Sequence, residues 1–155
     1  MKKISCFALI LVLCFSLVAC AGGEDKRVLD IKEVAFAIND KGLFIDKLEP
    51  VREEVISKAF GVDTSNCTAV EYYWGSGAEG EEFGVFECKT ADDAKEVLKQ
   101  VTARRDSLIK EYASYNVKAV PRLEGAVLEQ TGKYVIFISA EKSKEAAELV
   151  TELLK

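Results

Sequence analysis

The 155-residue chain contains no histidine. That removes the commonest general base at neutral pH and the commonest zinc ligand. A serine or cysteine nucleophile is left without its usual partner. Gly75-Ser76-Gly77 also lacks the G-x-S-x-G frame of a nucleophile elbow. Cysteine is scarce where a fold would use it. Cys6 and Cys14 lie in an N-terminal apolar stretch, Cys20 closes that stretch, and only Cys67 and Cys88 belong to the body of the chain. No acidic spacing of the EF-hand kind occurs, and there is no internal repeat or low-complexity tract. Basic residues number 21 against 26 acidic ones. This balance argues against a nucleic-acid partner and against a direct electrostatic hold on anionic lipid.

Lys2 and Lys3 precede an apolar run from Ile4 to Val18 broken only by Ser5 and Ser16. A spanning helix needs about 20 apolar residues, so this run is short for a membrane span and suits a secretory signal peptide. It closes with Leu17-Val18-Ala19-Cys20, which resembles the bacterial lipobox, where the cysteine sulfur takes a diacylglyceryl group and becomes the first residue after cleavage. Each buried acyl CH₂ contributes about 0.8 kcal/mol, so several chains hold a domain at a membrane. The expected organisation is a lipoprotein signal peptide over 1–19, a lipidated Cys20 with a tether to 29, and one domain over 30–155. Without the leader, 19 basic residues face 26 acidic ones. The expected location is the cell membrane, on its extracytoplasmic side.

Within 30–155 the apolar spacing predicts a helix from Asp30 to about Asn39 and a second over about 51–60, with Gly61 as its C-cap. Cys67–Trp74 and Phe83–Cys88 read as a hairpin around the flexible acidic loop Gly75–Glu82. Symmetric pairing about that loop sets Cys67 opposite Cys88, which suits a disulfide; a slip of one residue sends the two side chains to opposite faces. Thr90 caps a long helix whose stripe includes Ala94, Val97, Val101, Leu108 and Tyr112, with Arg105 interrupting it. Pro121 blocks continuation. A second hairpin, Ala126–Gln130 with Tyr134–Ser139, and a helix over about 142–154 complete the chain. The expected fold is α+β, in the order α-α-β-β-α-β-β-α, with an antiparallel sheet of about four strands (two hairpins) and helices on one face.

Several segments together resemble a known family. They are the lipobox, the strand Glu82-Phe83-Gly84-Val85-Phe86-Glu87, the helix start Ala91-Asp92-Asp93-Ala94, and Leu123-Glu124-Gly125-Ala126-Val127 before Gly132-Lys133-Tyr134-Val135. The family is the bacterial lipoprotein group catalogued as domain of unknown function 4358, and the resemblance extends over about 30–155. It implies fold and location and brings no activity. The acidic loop, Cys67 and Cys88 depart from the family's pattern.

The remaining candidates each have a plain reading beside a functional one. Tyr72, Tyr73 and Trp74 form an aromatic platform or else pack alternately in the core, with Tyr73 or Trp74 the more exposed. Glu79, Glu81 and Glu82 are carboxylates for a cation or a glycosidase pair, or side chains of a solvated loop; the solvated reading is preferred because a glycine-rich loop fixes nothing. Arg104-Arg105 reads as a solvated helix face. No catalytic residue, metal ligand or cofactor is expected. The binding surface expected is Tyr73, Trp74, Glu79, Glu81 and Glu82. The function expected is that of a non-enzymatic accessory module for an envelope protein partner. The alternatives are a receptor for a peptide, sugar or metal and, more remotely, an envelope hydrolase. Replacing Cys20→Ser should release the protein from membranes into the soluble fraction; retention after an alkaline wash would overturn the lipobox reading.

Overall fold

The structure, a computed structural model, describes residues 28–155. The leader, Cys20 and most of the tether therefore lie outside the described residues. Helix α1 (Ile31–Asp40) begins where the Asp30 carboxylate accepts from the amides of Lys32 and Glu33 at 2.9 and 3.3 Å. Such a cap contributes about 1 kcal/mol. Strand β1 (Glu49–Pro50) and helix α2 (Glu53–Ala59) precede the first hairpin, β2 (Cys67–Trp74) and β3 (Glu82–Cys88). Helix α3 (Ala91–Tyr115) starts at Thr90, whose hydroxyl accepts from the Asp93 amide. One 3₁₀ turn at Val117–Ala119 leads into the short α4 (Val120–Glu124). The second hairpin, β4 (Val127–Thr131) and β5 (Tyr134–Ser139), is followed by α5 (Ser143–Leu153).

The strands form one antiparallel sheet in the order β1-β2-β3-β5-β4. The α+β class is as the sequence indicates, with five strands in place of about four. The additional strand is two residues long, pairing Glu49 with Trp74 and Pro50 with Tyr73. A segment that short has no alternation to read, and its proline suits the sheet edge. Pro121 likewise starts α4 where the sequence suggested only a stop, because proline is tolerated in a first helical turn.

Helices cover both faces of the sheet, not one. On one face Phe83, Val85, Tyr134, Ile136 and Ile138 pack with residues of α1 and α5, including Val34, Ile38, Ala146 and Val150. On the other, Tyr72, Phe86, Val135 and Phe137 pack with Ile56 of α2 and with Ala94, Val97 and Val101 of α3. The physical reason lies in the central strands. β5 is buried at every position and β3 at all but one, so neither face can be left to water. A smaller cluster of Leu108, Tyr112, Ala119 and Leu123 closes the end of the sheet near the first hairpin loop.

The Leu29 amide donates to the Tyr134 hydroxyl at 3.2 Å. The described chain thus begins beside the end of the sheet where Glu87 pairs with Tyr134. Glu82 pairs with Ser139 at the other end, about 17 Å away at roughly 3.4 Å per residue. The start of the described chain and the 75–81 loop therefore lie at opposite ends of the sheet.

Gly84 sits mid-strand on β3, where a Cβ would lie 2.7 Å from ring atoms of both Tyr72 and Phe86. Those rings are buried and cannot swing away. Gly84→Ala should destabilise the domain by about 1–3 kcal/mol, read as a lower urea midpoint with unchanged slope.

Candidate functional site

The 75–81 loop joins β2 to β3 and carries the glycine and glutamate residues that suggest a mobile, solvated segment. Five consecutive backbone carbonyls in it each accept a hydrogen bond from a different group. Gly77 takes the Tyr112 hydroxyl, Ala78 the Asn116 amide nitrogen at 2.9 Å, and Glu79 the Arg122 guanidinium. Gly80 takes the Ser139 hydroxyl at 2.8 Å, and Glu81 the Gly75 amide at 3.1 Å. The donors come from α3, the segment following it, α4 and β5 as well as from the loop itself. Ser76 adds an anchor on the other side, donating from its amide and hydroxyl to Asp46 at 2.9 and 2.7 Å. The loop is held along its whole length.

Its glutamates are not solvated as expected. Glu81 and Glu82 are fully buried. The Glu81 carboxylate accepts from the amides of Ile45 and Asp46, both at 2.8 Å, and from that of Glu141 at 2.9 Å. Arg122 adds an ion pair to it at 3.6 Å and binds the carboxylates of Glu79 and Glu141 as well. Glu82 meets Arg104 in a two-point pair, Nε to Oε1 at 2.7 Å and Nη2 to Oε2 at 2.6 Å. Burying an unpaired charge costs several kcal/mol, so an acid drawn into this interior takes amides or an arginine with it. Burial pushes the Glu82 pKa up, against the downward pull of Arg104. The Tyr72 hydroxyl lies buried beside the pair with no hydrogen-bond partner of good geometry; burial first, then the Glu82 charge, raises its pKa well above the ordinary value.

Arg104 also corrects the reading of α3. The residues Ala94, Val97, Val101, Arg104 and Leu108 follow one another at alternating steps of three and four. Arg104 therefore occupies a place on the buried stripe and does not lie on a solvated face. Its guanidinium carbon sits 3.8 Å from the centre of the Phe60 ring. Phe60 in turn makes an edge contact with Trp74, with ring centres 5.7 Å apart. Trp74 also rests on Gly77, whose positive φ of 79° and lack of a Cβ admit the indole at van der Waals range. A chain of contacts thus runs from the buried Glu82 to the surface indole.

Trp74 remains 40% exposed. It lines an open groove of about 510 Å³ with Asp46, Lys47, Pro50, Val51 and Ser76. Ile45 is exposed on the adjoining segment, and Tyr115 is exposed at the end of α3, its ring against Tyr112. Of the expected binding surface, Trp74 is therefore accessible and Glu79 partly so. Tyr73 is half-buried, stacked on Phe83 at 4.8 Å. Glu81 and Glu82 are interior. Among the described residues no cluster of three or more acids or cysteines could hold a metal ion. Asp46, Arg122 and Glu141 carry no signal in the sequence that marks them, whereas Arg104, which reads there as part of a solvated doublet, has a legible signal in its helical spacing.

A family described as "Domain of unknown function (DUF4358)" matches residues 44–140, more than half of the chain. The span takes in the sheet, α2, α3 and α4, and leaves out α1 and α5, the two helices that cover one face. Searches of curated proteins and of solved structures returned no match.

Removing Arg104 while Glu82 stays should be far worse than removing both. Arg104→Met should destabilise by about 3–5 kcal/mol at pH 7, and adding Glu82→Gln should recover much of that. The pH dependence follows from the raised Glu82 pKa. The folded state keeps that proton to higher pH than the unfolded chain, so the contribution is complete below about 4.5 and is lost as pH rises through the folded pKa. Urea midpoints should therefore fall relative to Glu82→Gln across that window, whereas a constant difference would show an unshifted carboxyl.

Proposed function

The chain belongs to this family of unknown function, and we propose that it is a lipid-anchored extracytoplasmic module that holds an envelope protein partner through the Trp74 groove. The observation that carries this reading is an exposed indole at the end of β2, beside a loop whose carbonyls from Gly77 to Glu81 are all engaged. A surface fixed before binding loses little conformational freedom on association. Tryptophan is the residue most often found at energetic centres of interfaces. Ile45 and Tyr115 extend the apolar character of the same end of the domain.

The anchoring half of the proposal rests on Lys2, Lys3, the apolar run and Leu17–Cys20. Leu29 lies beside Tyr134, at the end of the sheet remote from Glu82 and Ser139. An anchor joined at that end leaves the groove, at the other end, free to meet other envelope proteins. The loop glutamates support a non-enzymatic role: Glu81 is committed to three amides and Glu82 to Arg104, so neither is free to act as acid or base toward a substrate.

A second reading is a small-ligand receptor. The groove volume of about 510 Å³ falls in the ordinary range for ligand sites of roughly 300–1,000 Å³. Photo-crosslinking residues at Lys47, at Glu49 and, as a control, at Glu148 on α5 would separate these. In native membranes the lipidated chain should give one discrete protein adduct from the two groove positions and none from the control. Trp74→Ala should reduce that adduct about tenfold or more. Adducts of equal yield at all three positions, or none at the groove, would sink the partner reading. A small bound mass in the intact protein, lost with Trp74→Ala, would favour the receptor.

A further inference from the structure

Cys67 and Cys88 are register partners across the β2–β3 hairpin, with their sulfurs 3.8 Å apart. The pairing does not come from simple symmetry. From Trp74–Glu82 down to Ala69–Glu87 the ladder is displaced by one residue from the pairing that joins Cys67 to Cys88. Continued unbroken, it would set Thr68 opposite Cys88 and turn Cys67 to the other face. A β-bulge between Cys67 and Ala69 takes up the displacement. It brings Cys67 against the cluster that holds Cys88, Val97 and Ile56, and leaves Thr68 exposed. A bulge interrupts the ladder and is a specific feature of a strand; here its outcome is to bring two sulfurs into contact.

The surroundings suit a closed bridge. The backbone is already joined on both sides of the pair: the Lys89 amide donates to the Asn66 carbonyl at 2.9 Å, and the Cys88 amide to the Lys133 carbonyl at 2.8 Å. The Lys89 ammonium adds a bond to the Ser65 carbonyl at 2.9 Å. Directly opposed residues of antiparallel strands have Cα atoms about 4.5–5.5 Å apart, inside the range of disulfides. Side-chain rotation is then enough to close the remaining gap. Cys88 is fully buried and Cys67 half-buried, so an outside reagent reaches the pair through Cys67.

We propose that Cys67 and Cys88 form a dithiol–disulfide site, oxidised by exchange with an external disulfide, that staples the base of the hairpin carrying the 75–81 loop. The Cys67 thiol, giving up its proton as it reacts, attacks one sulfur of the external disulfide, forming a mixed disulfide and releasing one thiol. Cys88 then attacks the Cys67 sulfur, forming the internal bond and releasing the second thiol. The two protons leave with the two released thiols, and the external disulfide is reduced by the two electrons the cysteines give up. The closed bond ties the first residue of β2 to the last of β3, two residues before Thr90, the cap of α3.

The test uses the full-length chain taken from its own membranes, with thiols trapped in acid and alkylated before digestion. A non-reduced peptide joining Cys67 to Cys88 is expected, and a reduced sample should re-form it in oxidised glutathione. The oxidised chain should melt about 5–10 °C above the reduced one. Cys67→Ser, at the half-buried position, should abolish that difference while still melting cooperatively. The double variant Cys67→Ser/Thr68→Cys should form no bridge, because the bulge turns position 68 outward. Full alkylation of both cysteines after excess oxidised glutathione would overturn the proposal. So would bridging by the double variant as fast as by the natural pair.

Discussion

Two adjacent carboxylates in the interior, Glu81 and Glu82, set the terms for this fold. Each would be expensive to bury alone. Glu81 is satisfied by three backbone amides from two distant segments, those at Ile45–Asp46 and at Glu141. Glu82 is satisfied by a two-point pair with Arg104 near the middle of α3. Glu81 can remain inside only with the approach to β1 and the exit from β5 in place, and Glu82 only with the long helix in place. The pair of acids therefore couples elements that are remote in sequence. Removing one partner leaves a buried charge, which is why a single loss is more damaging than a double one.

The loop geometry follows from the same constraint. With Glu81 and Glu82 drawn inward at its root, the 75–81 segment lies against α3 and α4, where Tyr112, Asn116 and Arg122 reach its carbonyls. Trp74 is left at the rim between Phe60 and Gly77. The groove beside it is the surface expression of an interior arrangement, since Arg104 touches both Glu82 and the Phe60 ring. At the opposite end of the hairpin the bulge near Cys67 returns the ladder to a pairing in which the two sulfurs meet. The hairpin is thus constrained at both ends, by charge at one and by sulfur contact at the other.

The elements most legible in the sequence are those whose stability is local. The Asp30 and Thr90 caps, the long stripe of α3 and the two hairpins all appear where spacing and turn residues put them. The acidic loop reads as solvated because glycine and glutamate are common in such turns, whereas the partners that draw it inward lie as many as 60 residues away along the chain. The Cys67–Cys88 pairing was inferred from symmetry about the loop. The structure reaches it through a one-residue slip and a compensating bulge, neither of which leaves a mark in composition.

By itself the sequence determined the α+β class, the order of the principal helices and hairpins, and the lack of any histidine-based chemistry. These depend on periodicity, capping and residue identity, which act over a few residues or need no neighbours. Only the tertiary structure decided that helices cover both faces, that Arg104 meets Glu82, and that Glu81 and Glu82 are interior. Those outcomes depend on which charged groups meet across the fold. A carboxylate has no preferred side of a strand until an amide or guanidinium is brought within reach, and that proximity arises only when the chain has closed on itself.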